Sequence, residues 1–456
     1  MIFSQQTVFD FGRRRIPVRL PEQAHILGMG RVEPLARPGE AIRQALRAPI
    51  GAPPLIELVR SRLSAKPDAT AVVVISDDTR PVPYNGESGI LYPVLQEIMD
   101  AGLPPERIRL LVATGTHHGM SESALRRFLD PRVFNLDIPI YNHDCCQSDE
   151  LVCIGRTDVG GDIFINRWYA SSDIKILTGL VESHFMAGAS GGRKSICPGL
   201  LAERSVHILH GGPILASPRA ADLVLEGNPV HAEALKVAHM AGCDLIVNVT
   251  LDSSYRLTGV FVGDLEKAHY AAVEELKTYA GIPVDRQYDL VASHAGFVGI
   301  NHYQAAKGAV VCIPVLKPGG MCVLAGFHPD TDPIGGTNYK AMMRLLGEMG
   351  PDNYLDAILA PDWIFVPEQW EAQMWSRLFR VIPPENLIYC TMEIAGADFD
   401  WLPGTDARSQ VPRAQDLEAL IAGAVRFAVE KLAKKLGRMP SVAVLRDGPY
   451  GIPIPV

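Results

Sequence analysis

The chain has 456 residues, 47% hydrophobic and 21% charged, values ordinary for folded globular protein; its length predicts two or three domains. A formal charge of −8, from 43 basic and 51 acidic residues, argues against a nucleic-acid binder that works by bulk attraction. No uninterrupted apolar run is long enough to cross a bilayer, since the best candidate, 310–327, is broken by Lys317, Pro318, Gly319 and Gly320.

The first residues lack a basic segment followed by an apolar stretch, so no secretory leader is expected. The eight cysteines include no C-x-x-C pair, and several, such as Cys312 and Cys322, sit in apolar runs. That is the usage of reduced, buried thiols and predicts a cytoplasmic protein. Apolar β-branched runs alternating with helical patterns predict an α/β fold with two α/β domains. In chain order, 71–76 reads as a buried strand. Leu91, Val94, Leu95, Ile98 and Met99 then mark a helix stopped by Gly102, and 109–113 is a second strand. Strands follow at 174–178 and 244–250, with 255–262 placed to pair back on the latter. A helix over 265–280 leads to a boundary near 281–284, which makes 1–281 the first domain. The second, 282–438, opens with a strand at 288–292 and holds a glycine- and proline-rich stretch, 314–336. It ends in a helix over 414–436, striped by Leu417, Leu420, Ile421, Val425, Phe427, Ala428 and Leu432 and stopped by Gly437 and Pro440. A last strand, 441–445, follows, and 439–456 could return to the first domain.

Polar residues just beyond the carboxyl ends of strands line the crevice of an open α/β sheet. Asp77-Asp78-Thr79-Arg80-Pro81 follows the strand 71–76 with two carboxylates and an arginine, suited to an anionic ligand and to orienting a histidine. Standing alone it also reads as a polar turn. Thr114-Gly115-Thr116-His117-His118-Gly119 follows 109–113, and a histidine there can be acid, base or metal ligand, or a solvated loop residue. The segment from Glu182 to Ser195 is the most specific. Gly188, Lys194 and Ser195 fit the phosphate-binding loop G-x-x-x-x-G-K-[ST], but Arg193 replaces its second glycine. Pro198-Gly199 would also break the helix that such a loop must enter. A nucleotide triphosphatase is set aside, leaving a glycine-rich loop that presents Lys194 beside His184, with a flexible surface loop as the plainer alternative. His207 and His210, at i and i+3, could share a helix face and both bind metal, or only one faces a site. In the second domain, His302-Tyr303-Gln304-Ala305-Ala306-Lys307 puts Tyr303, Gln304 and Lys307 on one helical face, able to hold a carboxylate and hydroxyls or to face water. Trp363 and Trp370 are candidates for a site wall, with core packing the default for each.

In this order the segments resemble the nickel-dependent lactate racemase family of 2-hydroxyacid racemases and epimerases, over most of the chain from Asp77 to about Trp370. The matching parts are Asp-Asp-x-Thr-Arg-Pro, shortened here so that Asp77 and Arg80 carry it; Thr-Gly-Thr-His; His-Phe-x-Ala-Gly-x-Ser-Gly-Gly-x-Lys; the later histidine; and Tyr-Gln-x-x-Lys. The resemblance implies an isomerase that inverts C2 of a 2-hydroxy acid by reversible hydride transfer through a 2-keto acid. Its cofactor would be a nickel-pincer nucleotide, pyridinium-3,5-bisthiocarboxylic acid mononucleotide, attached to Lys194. By match, His210 would bind nickel, and His117 and His184 would be the paired acid/base residues. Asp77, Thr79, Gly188, Ser190, Gly191, Gly192 and Trp370 would hold the cofactor, and Arg80, Tyr303, Gln304, Lys307 and Arg193 the substrate. The first domain would carry cofactor and metal and the second the substrate groups, with the active site in an interdomain cleft and cofactor-biosynthesis proteins as partners. Ala189 and Arg193 stand where lactate-specific members carry a bulkier aromatic and a proline, which suggests a longer, more polar acid such as a sugar acid or hydroxy dicarboxylate. Two other classes stay open: a zinc hydrolase using His117, His184 and His210, and a non-catalytic protein that binds an anionic metabolite.

Overall fold

The computed structural model describes residues 3–456, which divide into two compact units. The first comprises residues 31–210 and 217–278; the second takes the chain through Gly30, the short segment Gly211–Ala216, and everything from Tyr279 onward.

Among the described residues of the first unit, six strands form one sheet in the order Leu257–Gly263, Leu245–Leu251, Ile174–Leu180, Ala71–Ser76, Ile108–Ala113, Ile140–Asn142. Neighbours run parallel except at one edge, where Leu257–Gly263 pairs back antiparallel on Leu245–Leu251, as its position in the sequence suggested. Both faces are covered, which explains the unbroken apolar run at 71–75. Val73 and Ile75 enter a core shared with Ile42, Leu46, Val59, Val94 and Ile98, while Val72 and Val74 enter the opposite core with Val206, Leu209, Val237 and Ala238. Each fully buried aliphatic side chain contributes roughly 1.5–3 kcal/mol, so both layers are needed to hold the sheet.

The path through this sheet fixes where a ligand would go. From Ala71–Ser76 the chain steps outward to Ile108–Ala113 and Ile140–Asn142, then returns to Ile174–Leu180 on the other side of the first strand and runs the opposite way. The carboxyl ends of Ala71–Ser76 and Ile174–Leu180 therefore form the switch point of the sheet, the place where open α/β sheets bind their ligands.

Among the described residues of the second unit, six parallel strands form a sheet in the order Thr405–Asp406, Leu387–Cys390, Leu316–Ala325, Tyr288–His294, Val442–Leu445, His25–Leu27. The helix Leu417–Leu436 buries Leu417, Leu420, Ile421, Val425 and Ala428 against one face. It begins where the Asp416 carboxylate accepts the Ala419 N–H and ends at Gly437 in the left-handed region (φ 65°).

Two expectations are corrected here, and one stretch left without an element is filled in. Residues 439–456 do not return to the first unit, because Val442–Leu445 pairs between Tyr288–His294 and His25–Leu27, and Ile452–Pro455 pairs with Gly281–Val284. The N-terminal residues also leave the expected first domain. The hairpin Gln5–Asp10 and Arg15–Leu20 lays Phe9, Ile16, Val18 and Leu20 into the core under the helix Leu417–Leu436. Finally, the glycine- and proline-rich stretch contains the strand Leu316–Ala325, whose pairing with Tyr288–His294 shifts register between Tyr288 and Leu290. No helix among the described residues is long and apolar enough to cross a membrane.

Candidate active site

Three adjacent strand ends of the first unit deliver the polar groups. Asp77, 5% exposed, follows Ala71–Ser76 and places Oδ2 2.7 Å from His117 Nδ1, beyond the neighbouring strand Ile108–Ala113. Its other oxygen accepts the Thr79 backbone N–H at 3.2 Å and the Thr79 hydroxyl at 2.5 Å. Burial alone would raise the Asp77 carboxyl, but the hydrogen bonds and charge of His117, the Thr79 hydroxyl and the Arg80 guanidinium hold it below the usual carboxylate range. In the neutral form of His117, an ionised Asp77 keeps the proton on Nδ1 and leaves Nε2 as an acceptor, on a side chain that is 48% exposed. A histidine held by a carboxylate in this way is able to act as a base. Asp78 and His118 lie exposed beside the pair.

Beyond Ile174–Leu180, Glu182 Oε1 accepts from Arg80 Nη1 at 2.9 Å, and the chain enters the glycine-rich loop. The loop is tightly built. Gly188 has φ 80°, and a Cβ there would lie 2.2 Å from the Val224 carbonyl oxygen; Gly191 has φ 73°, and its Cβ would press on Val181 and Asn248. The Ser190 hydroxyl donates to the Leu180 carbonyl at 2.7 Å and accepts the Glu182 N–H at 2.9 Å, while the Gly192 N–H donates to Asn248 Oδ1 at 2.8 Å. Only a short 3₁₀ turn, Gly192–Ser195, follows, so the long helix of a triphosphatase loop is not built.

At the end of this loop Lys194 Nζ lies 3.0 Å from His184 Nε2. Both side chains are partly exposed, whereas Phe185–Arg193 are buried. His184 Nδ1 accepts from the Met186 and Ala187 N–H groups at 3.3 and 3.2 Å, which fixes the ring plane. His210 follows the helix Glu203–Leu209 rather than sharing it with His207. Its Nδ1–H donates to the Val206 carbonyl at 3.0 Å, so a neutral ring carries its lone pair on Nε2. Burial pushes this imidazole down to about 4, the Val206 hydrogen bond works against that, and the charge of Lys194 adds to it. A neutral imidazole with its Nδ1–H held by a carbonyl is the form that binds metals.

Arg193 goes elsewhere. It is 1% exposed, donates from Nη2 to the Ala187 carbonyl at 2.6 Å, and places Nη1 3.1 Å from His269 Nε2. Burial pushes its guanidinium down to about 10. The side chain is turned into the body of the loop and braces it.

In the second unit, Asn301 caps the helix His302–Val310 by accepting the Gln304 N–H at 3.0 Å. Tyr303, Gln304 and Lys307 are the partly exposed residues of that helix, and Lys307 Nζ donates to Gln304 Oε1. Trp370, in the first turn of the helix Gln369–Phe379, donates Nε1–H to the Tyr303 hydroxyl oxygen at 2.7 Å and stacks near Phe365. Trp363 instead donates to Gln369 Oε1 at 2.9 Å.

Residues 11–222 match the family described as the lactate racemase N-terminal domain. The lactate racemase of Lactiplantibacillus plantarum is 32% identical over 342 residues, 74% of this chain and 77% of that protein. The lactate racemase of Thermoanaerobacterium thermosaccharolyticum is 30% identical over 342 residues, 74% of this chain and 76% of that one. The chain belongs to the lactate racemase family. The structure of the lactate racemase apoprotein from Thermoanaerobacterium thermosaccharolyticum superposes with a TM-score of 0.84 at 26% identity, covering 99% of this chain and 100% of that one. A Thermotoga maritima protein shares the fold, with a TM-score of 0.60 at 16% identity over 89% of this chain and 100% of that one.

In this family member, one unit gathers Asp77, Thr79, Arg80 and His117 into one hydrogen-bonded group and His184 and Lys194 into a second, with His210 close enough for the Lys194 charge to act on it. Tyr303, Gln304, Lys307 and Trp370 form a separate group in the other unit. Two participants escaped the sequence reading. Glu182 opens the glycine-rich motif, yet only the structure reveals it as the partner of Arg80. Glu371, next to Trp370, is 4% exposed, with Oε2 lacking a hydrogen-bond partner among the described residues. Burial pushes its carboxyl up to about 8, the nearby Lys307 charge pulls it back, and Glu368 adds to the rise. Nothing in the sequence marks it beyond its place beside Trp370.

Proposed function

We propose that this chain is a 2-hydroxyacid racemase or epimerase that uses a nickel-pincer nucleotide attached to Lys194. The observation that carries the reading is the 3.0 Å approach of Lys194 Nζ to His184 Nε2 at the mouth of a glycine cradle, in a chain of this family. The residues present fit that group. Lys194 offers a primary amine for the tether and His210 an imidazole lone pair of the kind that suits nickel beside sulfur donors, while Gly188 and Gly191 let the loop that carries Lys194 pack closely against Val224, Val181 and Asn248. When bound, the nucleotide would supply reversible hydride acceptance, the step that no side chain here can perform.

The protein's own residues account for the rest. The C2 hydrogen of a 2-hydroxy acid is too weakly acidic for a histidine to remove as a proton, so the route these groups can serve is loss of hydride with loss of the hydroxyl proton. His117, oriented by Asp77, takes that proton from one enantiomer, and His184 is the paired acid/base residue for the other. Arg80 and Lys307 pair with the substrate carboxylate, and Tyr303 and Gln304 hold its hydroxyl side, which keeps the planar 2-keto acid in register for return of the hydride. The longer, more polar acid suggested by Ala189 and Arg193 loses its cation, because Arg193 is buried and engaged by the Ala187 carbonyl. A short 2-hydroxy acid, lactate among them, is the substrate class these residues favour. The protein would act in the cytoplasm with cofactor-biosynthesis proteins as partners, in keeping with eight cysteines that are all free thiols.

The test is the intact mass, nickel content and racemase activity of the chain and of Lys194→Ala, each produced together with the cofactor-biosynthesis proteins. The unaltered chain is expected to gain a nucleotide-sized mass and nickel and to racemise lactate, and the variant to show none of these. An unmodified chain despite proven cofactor supply would overturn the reading and bring the zinc hydrolase forward.

A further inference from the structure

Away from these residues, one surface cluster brings thiols and carboxylates together. After the edge strand Ile140–Asn142 comes the buried His143, then Asp144, Cys145 and Cys146 at the surface. Cys145 Sγ and Cys146 Sγ are 3.7 Å apart, and Cys146 Sγ is 3.9 Å from Glu203 Oε2. One ligand atom from each of Asp144, Cys145 and Cys146 lies within 4.8 Å of the others, and Glu203 stands beside this trio through its contact with Cys146, outside that mutual distance. Two thiolates held at about 2.3 Å by one tetrahedral ion lie roughly 3.8 Å apart, so the sulfur pair already has the spacing of a bound pair. A disulfide would need about 2.05 Å.

The backbone holds this arrangement from both sides. Asp144 Oδ1 accepts the Cys146 N–H at 2.9 Å, the Glu203 N–H donates to the Cys145 carbonyl at 3.0 Å, and His143 Nε2 lies 2.9 Å from the Leu201 carbonyl oxygen. The loop after the edge strand is thereby fixed against the start of the helix Glu203–Leu209. Among the described residues no ion pair engages Asp144 or Glu203; Glu203 Oε2 accepts from the Cys146 thiol and Asp144 Oδ1 from the Cys146 N–H, which leaves each carboxylate its other oxygen for a cation.

We propose that Asp144, Cys145, Cys146 and Glu203 form a binding site for a thiophilic divalent cation of the zinc type, distinct from the racemase residues. Two sulfur and two carboxylate donors match a tetrahedral, borderline-soft ion and disfavour magnesium or calcium, which take oxygen alone. The bound ion staples the loop to the helix that runs toward His210. The site stands whether or not the chain is a racemase.

The experiment titrates the reduced full-length chain with Co²⁺ as a spectroscopic stand-in and then displaces it with Zn²⁺. A thiolate-to-cobalt charge-transfer band saturating at one ion per chain is expected, kept in His210→Ala, weakened in Glu203→Gln and absent in the Cys145→Ser/Cys146→Ser double variant. Zn²⁺ should raise the melting temperature of the unaltered chain and leave that of the double serine variant unmoved. A band that survives the double substitution, a band lost in His210→Ala, no band at all, or a Cys145–Cys146 disulfide that resists reductant would each overturn the proposal. Full affinity in Glu203→Gln would strike that ligand from it.

Discussion

The two units are built on sheets of the same size and parallel character, yet they present their functional groups by different means. In the first, the groups sit on loops at three strand ends, and each is tied by a part-buried or buried polar contact. Asp77 holds His117, Glu182 holds Arg80, and Arg193 holds the carbonyl of Ala187. In the second, Tyr303, Gln304 and Lys307 take their positions from the helical repeat, and Trp370 steadies one of them from a neighbouring helix. A loop has no repeating hydrogen-bond ladder to fix its shape, so precision there requires over-determination by buried polar contacts and special backbone angles. A helix supplies precision through its own backbone. Substitutions in the first unit should therefore cost rate and folding, and those in the second mainly affinity.

The largest effect expected on this contrast is from Asp77→Asn. The amide keeps the shape but can no longer fix the His117 tautomer with a charged acceptor, so kcat should fall by about 10²–10⁴-fold with little change in KM. The pH dependence has a definite sign. Because the folded carboxyl lies below its ordinary value, its stabilisation is present above about pH 3.8 and is lost as the pH drops through the lower folded value. Denaturant unfolding of the two proteins should differ at pH 7 and converge in acid. Equal kcat values would break the assignment of His117 as an oriented base.

The same contrast explains what could be read from the sequence. The strands and the helix at 91–100 were legible because their apolar pattern needs only local rules: the run at 71–75 is buried on both faces, and Leu91, Val94, Leu95 and Ile98 make one stripe. The loop residues His117, His184 and Lys194 were legible as motif positions, since strand ends are where such groups gather. Long-range closure was not. That His25–Leu27 adds to the edge of a sheet beside Val442–Leu445 is a pairing across some four hundred residues, with no local signal. Side-chain direction was equally hidden. Arg193 looks like one more cation in a substrate loop, and only the position of Ala187 and His269 shows that it points inward.

Arg193→Ala comes next in size and sharpens that point. Removing a buried side chain leaves a cavity and an unpaired Ala187 carbonyl, a loss of roughly 2–4 kcal/mol in denaturant unfolding. Since the guanidinium braces the loop instead of meeting substrate, kcat/KM should fall by the same factor for lactate and for a polyhydroxy acid. A selective loss on the polyhydroxy acid would return Arg193 to the substrate and restore the longer acid as the preferred one.

The smallest effect belongs to the second unit. Trp370→Phe keeps the aromatic wall and removes the N–H that the Tyr303 hydroxyl accepts at 2.7 Å. A neutral hydrogen bond of this kind is worth about 1 kcal/mol, so KM should rise about fivefold. Because the Trp370 N–H meets the Tyr303 hydroxyl, kcat should stay nearly constant, and the Trp370→Phe/Tyr303→Phe pair should bind no worse than Tyr303→Phe alone. That non-additivity separates a steadied hydroxyl from two independent contacts. If Trp370→Phe instead lowered kcat as steeply as Asp77→Asn with KM unmoved, the helix-borne group would be acting on the reacting centre, and the division between rate in one unit and affinity in the other would fail.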